Sequence, residues 1–157
     1  MQNIINFRII DHRIASGGQP TLDQLIELAD TGCQIVINLA LPTSANAIPN
    51  EGELVTQLGL TYVHIPVIWD EPHLDDFQQF LGCMEVFREK KVFIHCARNM
   101  RVSCFLYLYR VIAMGLNPEI AADDMLSVWQ PNETWQRFIT QVFDHYEITK
   151  NKEQKHD

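Results

Sequence analysis

The sequence predicts an α/β fold: a central, mostly parallel sheet of about four to five strands flanked by helices, followed by a C-terminal run of helices. Three observations support this prediction. Strand-like apolar segments alternate with amphipathic helical segments up to about residue 100. The segments at 34–41 and 91–95 are apolar and rich in β-branched residues, which is typical of strands buried on both faces. Beyond residue 100, helical segments follow one another without strands between them.

Short strands and helices are predicted to alternate in the first part of the chain. A turn at residues 11–12 separates two short strands. Thr21 is suited to begin the next helix as its N-cap, and Gly32 is suited to end it. The predicted strands are residues 7–10, 13–16, 34–41 and 61–67, and the predicted helices are residues 22–31 and 51–58.

The second part of the chain is predicted to be mainly helical. Residues 74–88 carry an apolar stripe at helical spacing, and residues 91–95 form a buried strand. Residues 101–114 are apolar nearly all round, which predicts a central buried helix. Pro118 and Asn132 begin two further helices, which end near residues 128 and 146. Ligands of such sheets bind beyond the carboxyl ends of the strands, near Leu41, Val67 and His95.

Length and charge limit the classes of function. The chain of 157 residues has the length of one domain, which we expect at residues 1–148, with a polar tail at 149–157. A net charge of −8 argues against binding to nucleic acid or to an anionic membrane surface. We find no signal peptide and no apolar segment long enough to span a membrane, so we expect a cytoplasmic protein. The oligomeric state is not indicated by the sequence.

The cysteines do not form a metal-binding pattern. None of the four forms a CxxC pair, and their spacing differs from that of common zinc sites. We therefore expect no metal and no cofactor, and free thiols in a reducing compartment. The cysteines are Cys33, Cys83, Cys96 and Cys104.

The segment from residue 91 to residue 111 is the most informative in the chain. A buried strand ends in His95 and Cys96, a tight polar loop follows, and a long helix comes next. Backbone amides at such a helix N-terminus stabilise negative charge, which favours a thiolate at Cys96. A thiolate beneath an oxyanion pocket is a nucleophile toward phosphorus or sulfur. Arg98 and Arg101 could hold a tetrahedral oxyanion through charge-assisted hydrogen bonds.

This order of strand, histidine, cysteine, loop, arginine and helix resembles the signature of the protein tyrosine/dual-specificity phosphatase superfamily. Residues 14–42 (IASGGQPTLDQLIELADTGCQIVINLALP) and 58–67 (LGLTYVHIPV) are similar to the N-terminal half of bacterial dual-specificity-like phosphatases of the DUF442 group. Together the matches cover about residues 7–115. The resemblance implies the fold of these phosphatases and a metal-independent hydrolase that acts on a phosphorylated protein or small molecule.

The resemblance also implies roles for residues of the loop. Cys96 would attack phosphorus and form a phosphocysteine. Ser103 would hydrogen-bond the thiolate and help it to leave, and His95 would support the loop from behind. The residues implied to bind the phosphoryl oxygens are Ala97, Arg98, Asn99, Met100 and Arg101.

Members of the superfamily use an aspartate on an earlier loop as general acid for the leaving oxygen. The matching loop in this sequence is residues 67–72, which contains two adjacent carboxylates. Asp70 is the first candidate for the general acid and Glu71 is the second. Asp75 and Asp76 are expected in the first turn of the following helix, where carboxylates interact well with the helix dipole.

One spacing departs from the superfamily pattern. Four residues, not five, separate Cys96 from Arg101, and Val102 occupies the position at which the arginine is expected. Either the loop is one residue shorter, or Arg101 lies about 100° away around the helix. The four-residue spacing is also similar to that of rhodanese-type sulfurtransferases, which carry a persulfide on the cysteine. A sulfurtransferase and a catalytically weak phosphate-binding module therefore remain alternatives to a phosphatase.

Overall fold

The computed structural model describes residues 3–148, so the predicted tail at 149–157 lies outside the described residues. These residues form one five-stranded sheet with six helices around it. The strands are β1 (Arg8–Ile9), β2 (Ile14–Gly17), β3 (Ile35–Asn38), β4 (Thr61–His64) and β5 (Val92–His95). The helices are α1 (Leu22–Asp30), α2 (Glu51–Gln57), α3 (Leu74–Val86), α4 (Met100–Ile112), α5 (Pro118–Val128) and α6 (Glu133–His145).

The sheet has the mixed α/β topology that the sequence predicts. Its strand order is β1-β2-β5-β3-β4. Strand β1 pairs antiparallel with β2, and the other neighbouring strands are parallel. In the register of the parallel strands, Asn38 lies opposite both His95 and His64. The carboxyl ends of β3, β4 and β5 therefore meet at one edge of the sheet, as predicted.

Helices cover both faces of the sheet. Along β5, Val92 and Ile94 pack into the larger apolar core with α3, α4, α5 and α6, whereas Phe93 packs into the smaller core with α1 and α2. His95 faces the same side as Phe93 and contacts Glu51, the first residue of α2. Because residues of a strand alternate between faces, coverage of both faces explains why the sequence of this strand is almost continuously apolar.

Helix α4 is the central helix, and nearly all of its residues are buried. Its surroundings are strongly aromatic, with ring centroids 5.5 to 6.1 Å from the Phe105 ring. Such aromatic pairs contribute about 0.5–1.5 kcal/mol each beyond the burial of their area. The rings around Phe105 belong to Phe77, Phe80, Trp135 and Phe138. No helix in residues 3–148 has the length and apolar character needed to cross a bilayer.

The strands β3 and β4 end three residues earlier than predicted. Residues 39–41 continue the apolar run, but the Asn38 side chain accepts a hydrogen bond from the Ala40 amide (2.8 Å) and turns the chain. His64 Nε2 lies 2.7 Å from the Ala40 carbonyl oxygen and holds this turn against β4. Backbone hydrogen bonds still join the two segments just beyond the strands, from the Ile65 amide to the Asn38 carbonyl (2.9 Å) and from the Val67 amide to the Leu39 carbonyl (3.0 Å).

Candidate active site

The loop after β5 directs its carbonyl groups away from the helix N-terminus that follows it. The Ala97 carbonyl accepts hydrogen bonds from the Gln19 amide (3.1 Å) and from Asn46 Nδ2 (3.0 Å). The Arg98 carbonyl accepts a hydrogen bond from Asn6 Nδ2 (3.0 Å). Neighbouring loops therefore tie the outer side of this loop to the rest of the protein.

The same loop also carries backbone amides that have no acceptor in the part of the chain that the structure describes. Within residues 3–148, no atom accepts a hydrogen bond from the backbone amides of residues 97, 98 and 100–102. The first amide of this stretch to enter the helical pattern is that of Ser103, which donates to the Asn99 carbonyl (2.8 Å). Asn99 begins α4 in the left-handed conformation, with φ of 69°. A concave set of unpaired amides at a helix N-terminus is a typical anion-binding arrangement.

Cys96 lies at the base of this arrangement. The residue is only 1% exposed, but it lines a cavity of about 170 Å³ that lies at the carboxyl edge of the sheet. The sulfur is thus reached through the cavity rather than from the protein surface. The residues around the cavity are Trp69, Cys96, Ala97, Arg98, Met100 and Arg101.

Arg101 brings a buried positive charge to the same cavity. The side chain is 6% exposed; its Nη1 donates to the Val67 carbonyl (2.9 Å), and its Cζ lies 5.9 Å from the centre of the Trp69 ring. No carboxylate in residues 3–148 forms an ion pair with it. A buried guanidinium without a counter-charge is costly, so an anion in the cavity would stabilise it. Arg98, by contrast, is exposed at the rim.

His95 ends β5 directly before the loop, and its ring contacts the loop backbone on one side and α2 on the other. The ring is fully buried, with Nδ1 3.3 Å from the Cys96 carbonyl oxygen and Nε2 2.6 Å from Glu51 Oε2. The other oxygen of Glu51 accepts a hydrogen bond from Gln19 Nε2 (2.8 Å). Burial, the largest single cause, raises the pKa of Glu51, but the hydrogen bonds from His95 and Gln19 together with the charges of His95 and His64 lower the pKa below its ordinary value.

Glu51 was missed by the sequence analysis. A carboxylate in the first turn of a helix is explained by the helix dipole alone, so this glutamate carried no signal of a further role. Only its distance from His95 in the folded chain reveals the contact.

Ser103 lies one turn into α4, and its hydroxyl is engaged away from the cavity. Its Oγ donates to the Met100 carbonyl (2.8 Å) and accepts a hydrogen bond from Trp129 Nε1 (3.1 Å). A hydrogen bond from this hydroxyl to the Cys96 sulfur stays a prediction. The neighbouring Cys104 is buried in the core, and burial raises its pKa well above the usual range.

Asp70 lies in a tight turn beside the cavity. The turn is closed by a hydrogen bond from the Glu71 amide to the Ile68 carbonyl (3.1 Å), and Asp70 is exposed. The adjacent residue, Trp69, lines the cavity, and its carbonyl accepts a hydrogen bond from Trp135 Nε1 (3.0 Å). Glu71 points toward solvent 3.9 Å from His73 Nε2. Of the two candidate acids, only Asp70 is adjacent to a cavity-lining residue.

This combination of sheet and cysteine loop defines the class of the protein tyrosine and dual-specificity phosphatases. The family model described as "DSP-PTPase phosphatase fused to NAD+ Kinase" matches residues 7–145, so the chain belongs to this family. The family resemblance inferred from the sequence is thereby confirmed. A search of the curated proteins gave no match.

Solved structures agree with the family assignment. A DUF442 protein from Shewanella putrefaciens CN-32 has 36% identity and a TM-score of 0.84, and the match covers 92% of this chain and 95% of that chain. PTPMT1 in complex with PI(5)P has 14% identity and a TM-score of 0.77 over 90% of this chain and 96% of that chain. P. aeruginosa TpbA in complex with pTyr has 15% identity and a TM-score of 0.73, and the match covers 90% of this chain and 88% of that chain. The last two show a shared fold.

Proposed function

We propose that this chain is a cysteine-dependent phosphatase that hydrolyses a phosphomonoester through a phosphocysteine on Cys96. One observation carries the proposal. In residues 3–148, one cavity is lined by Cys96, by Arg101 without a carboxylate partner, and by loop residues whose backbone amides have no protein acceptor. Such an arrangement suits a tetrahedral anion bound directly above a nucleophile.

The first proposed step transfers the phosphoryl group to the protein. The Cys96 thiolate forms a bond to phosphorus while the bond from phosphorus to the ester oxygen breaks. The loop amides and Arg101 stabilise the negative charge that is spread over the three remaining oxygens in the transition state. Asp70 gives its proton to the departing oxygen, so the alcohol leaves neutral.

The second proposed step regenerates the protein. Water attacks the phosphorus of the phosphocysteine, and the Asp70 carboxylate takes the proton that water loses. The bond from phosphorus to sulfur breaks, and the thiolate returns with inorganic phosphate as the product. Neither step needs a redox partner.

Two solved structures of the same fold contain a phosphorylated ligand. PTPMT1 is in complex with PI(5)P, and TpbA is in complex with pTyr. These ligands belong to those proteins, and they support a phosphorylated substrate for this chain. We propose a phosphorylated protein or small molecule. The exposed Arg98 at the rim would meet the part of the substrate beyond the phosphate.

The experiment that tests this function measures the hydrolysis of p-nitrophenyl phosphate. We expect turnover that is unaffected by EDTA and that falls by at least about a thousandfold in Cys96→Ser. Cys83→Ser is the matched control, because Cys83 lies on α3 and does not line the cavity, and it should retain full activity. Full activity of Cys96→Ser would refute the proposal.

The spacing between Cys96 and Arg101 favours a sulfurtransferase as the second candidate. That function predicts a stable persulfide on Cys96 after treatment with thiosulfate, visible as one added sulfur in the intact mass. Binding of phosphate without turnover of any substrate would instead indicate a phosphate-binding module.

A further inference from the structure

Behind the loop lies a buried pair of ionisable groups that the proposed reaction does not use. Glu51 begins α2 and His95 ends β5, and both side chains are almost completely removed from solvent. The distance of 2.6 Å from His95 Nε2 to Glu51 Oε2 is that of a short, charge-assisted hydrogen bond. His95 thus joins the carboxylate on one side to the Cys96 carbonyl on the other.

The partners of the imidazole determine how many protons it must carry. Both of its nitrogens face oxygen atoms: a carboxylate at Nε2 and a backbone carbonyl at Nδ1. A carbonyl can only accept a hydrogen bond, and so can an ionised carboxylate. A neutral imidazole has one N–H group, so one nitrogen lone pair would face an oxygen. Only the doubly protonated ring of His95 donates to both Glu51 and Cys96.

The same carboxylate holds a second part of the loop. Gln19 Nε2 donates to Glu51 Oε1, and the Gln19 amide donates to the Ala97 carbonyl. Glu51 therefore acts on two successive carbonyl groups of the loop, on Cys96 through His95 and on Ala97 through Gln19.

We propose that Glu51 is a positioning residue that keeps His95 doubly protonated, so that the positive end of a buried ion pair supports the Cys96 loop. The proposal rests on the proposed function, since the charge would favour the Cys96 thiolate and the phosphoryl oxygens. The pair is neutral as a whole. Its positive partner lies on the Cys96 side, and its negative partner lies on the far side of the ring.

The other titratable groups near the pair come from β4. Tyr62 and His64 border the same cleft as Glu51, and that cleft has a volume of about 380 Å³. Burial raises the pKa of Tyr62 to about 12, helped by the charge of Glu51, so this phenol is neutral at physiological pH. His64 Nε2 contacts the Ala40 carbonyl oxygen. Glu51 is therefore the carboxylate that balances the charge of His95.

The protonation of His95 can be measured without any substrate. In the full chain labelled with ¹⁵N-histidine, we expect both ring nitrogens of His95 to be protonated near pH 7, with the signals assigned by their loss in His95→Asn. In Glu51→Gln, one nitrogen should lose its proton at the same pH. A singly protonated His95 in the wild-type chain would overturn the proposal even if Glu51→Gln failed to fold.

The consequence for the site is measured by alkylation of Cys96 with iodoacetate, followed by mass spectrometry of its peptide. We expect alkylation near pH 7 to be about tenfold slower in Glu51→Gln, about 1.4 kcal/mol, with the difference vanishing at alkaline pH. The value of kcat on p-nitrophenyl phosphate should fall by a similar factor, with a smaller change in KM.

The matched control is Glu53→Gln. Glu53 lies in the first turn of the same helix but is exposed, so it shares the helix dipole without contacting His95. It should behave as wild type in both measurements. Equal alkylation rates for Glu51→Gln and Glu53→Gln would overturn the proposal. A wild-type chain without phosphatase activity would refute the proposed function, while the protonation and alkylation measurements would still decide the role of Glu51.

Discussion

At the residue scale, the candidate site depends on polar groups that have few or no hydrogen-bond partners within residues 3–148. Arg101 uses one hydrogen bond to hold the Val67 carbonyl, and a guanidinium has five donors. The four-residue spacing from Cys96 leaves two arrangements open, a shorter loop or an arginine displaced around the helix. In the structure both residues line one cavity, so the short loop and the helix bring the arginine to the cysteine.

Arg101→Lys tests this geometry. A lysine ammonium lacks the planar fork of the guanidinium, which can hold the Val67 carbonyl with one nitrogen and bind two phosphoryl oxygens with the others. We therefore expect kcat/KM on p-nitrophenyl phosphate to fall about a hundredfold. Arg88→Lys makes the same chemical change at an exposed site after α3 and should leave activity unchanged. Wild-type activity of Arg101→Lys would show that the guanidinium does not bind the substrate.

Asp70→Asn tests the proposed general acid against Glu71→Gln. Phenolate is a poorer leaving group than p-nitrophenolate and depends more on protonation. In Asp70→Asn, kcat should therefore fall more for phenyl phosphate, by up to about a hundredfold, than for p-nitrophenyl phosphate. Glu71→Gln should not show this effect, because Glu71 points toward solvent. The reverse result would assign the acid to Glu71.

At the scale of elements, the loop is shaped by segments that lie far away along the chain. Asn6 Nδ2 donates to the Arg98 carbonyl, and Asn99 Nδ2 donates to the Asn6 carbonyl (2.8 Å), so the two segments hold each other by reciprocal hydrogen bonds. The Gly18 amide donates to the Ile5 carbonyl (2.7 Å). The N-terminal segment thus packs between the end of β2 and the loop.

Gly18→Ala should disturb this packing. A Cβ at Gly18 would lie 2.6 Å from the Ala97 carbonyl oxygen and 2.8 Å from Ile5 Cβ, so the loop or the N-terminal segment must shift. We expect a loss of about 1–3 kcal/mol in the free energy of unfolding, measured by urea denaturation, together with lower activity.

Gly82→Ala is the matched control. Gly82 lies inside α3, and among residues 3–148 a Cβ there would meet no atom within 4 Å apart from its chain neighbours and the backbone of its own helix. Because alanine favours the helix, this variant should gain about 0.5–1 kcal/mol and keep full activity. Equal stabilities of the two variants would contradict the proposed close packing at Gly18.

At the scale of the whole molecule, the sheet separates two environments that meet at the loop. One face carries the aromatic core around α4, and Trp69 is held there against Trp129 and Trp135 with ring centroids 5.2 and 6.0 Å apart. The other face carries the smaller core and the buried pair of His95 and Glu51. The loop at Cys96 therefore lies between an aromatic wall and a buried ion pair.

The ion pair predicts how stability depends on pH. The folded state lowers the pKa of Glu51 below its ordinary value of 4.5, so the unfolded chain takes up this proton first as the pH falls. The stabilisation is complete above that value and is lost as the pH falls through the lower folded pKa. Wild-type stability should therefore decline more steeply below about pH 4.5 than that of Glu51→Gln.

Thermal unfolding followed by circular dichroism at several pH values measures this difference. At neutral pH, Glu51→Gln should be less stable by about 1–3 kcal/mol, because the charged partner of a buried histidine is lost. The exposed Glu53→Gln should follow the wild-type curve. If the stabilities of wild type and Glu51→Gln changed with pH in parallel, Glu51 would take up its proton at the same pH in the folded and unfolded states.

The sequence by itself determined the order of the strands and helices, the caps at Thr21 and Asn132, and the position of Cys96 between a buried strand and a long helix. These features follow from patterns within a few residues, because hydrophobic periodicity and capping act locally. The motif around Cys96 is local in the same sense, so the family could be inferred from it.

Only the tertiary structure decided which distant groups complete the site. Glu51 and His95 are 44 residues apart in the chain, and Trp69 meets Trp135 from 66 residues away. Nothing in the local pattern of either segment indicates these contacts, because they arise when helices and loops from different parts of the chain pack at one edge of the sheet. The sequence predicts the cysteine in its loop, and tertiary packing brings the ionisable groups and the aromatic rings to the same edge of the sheet.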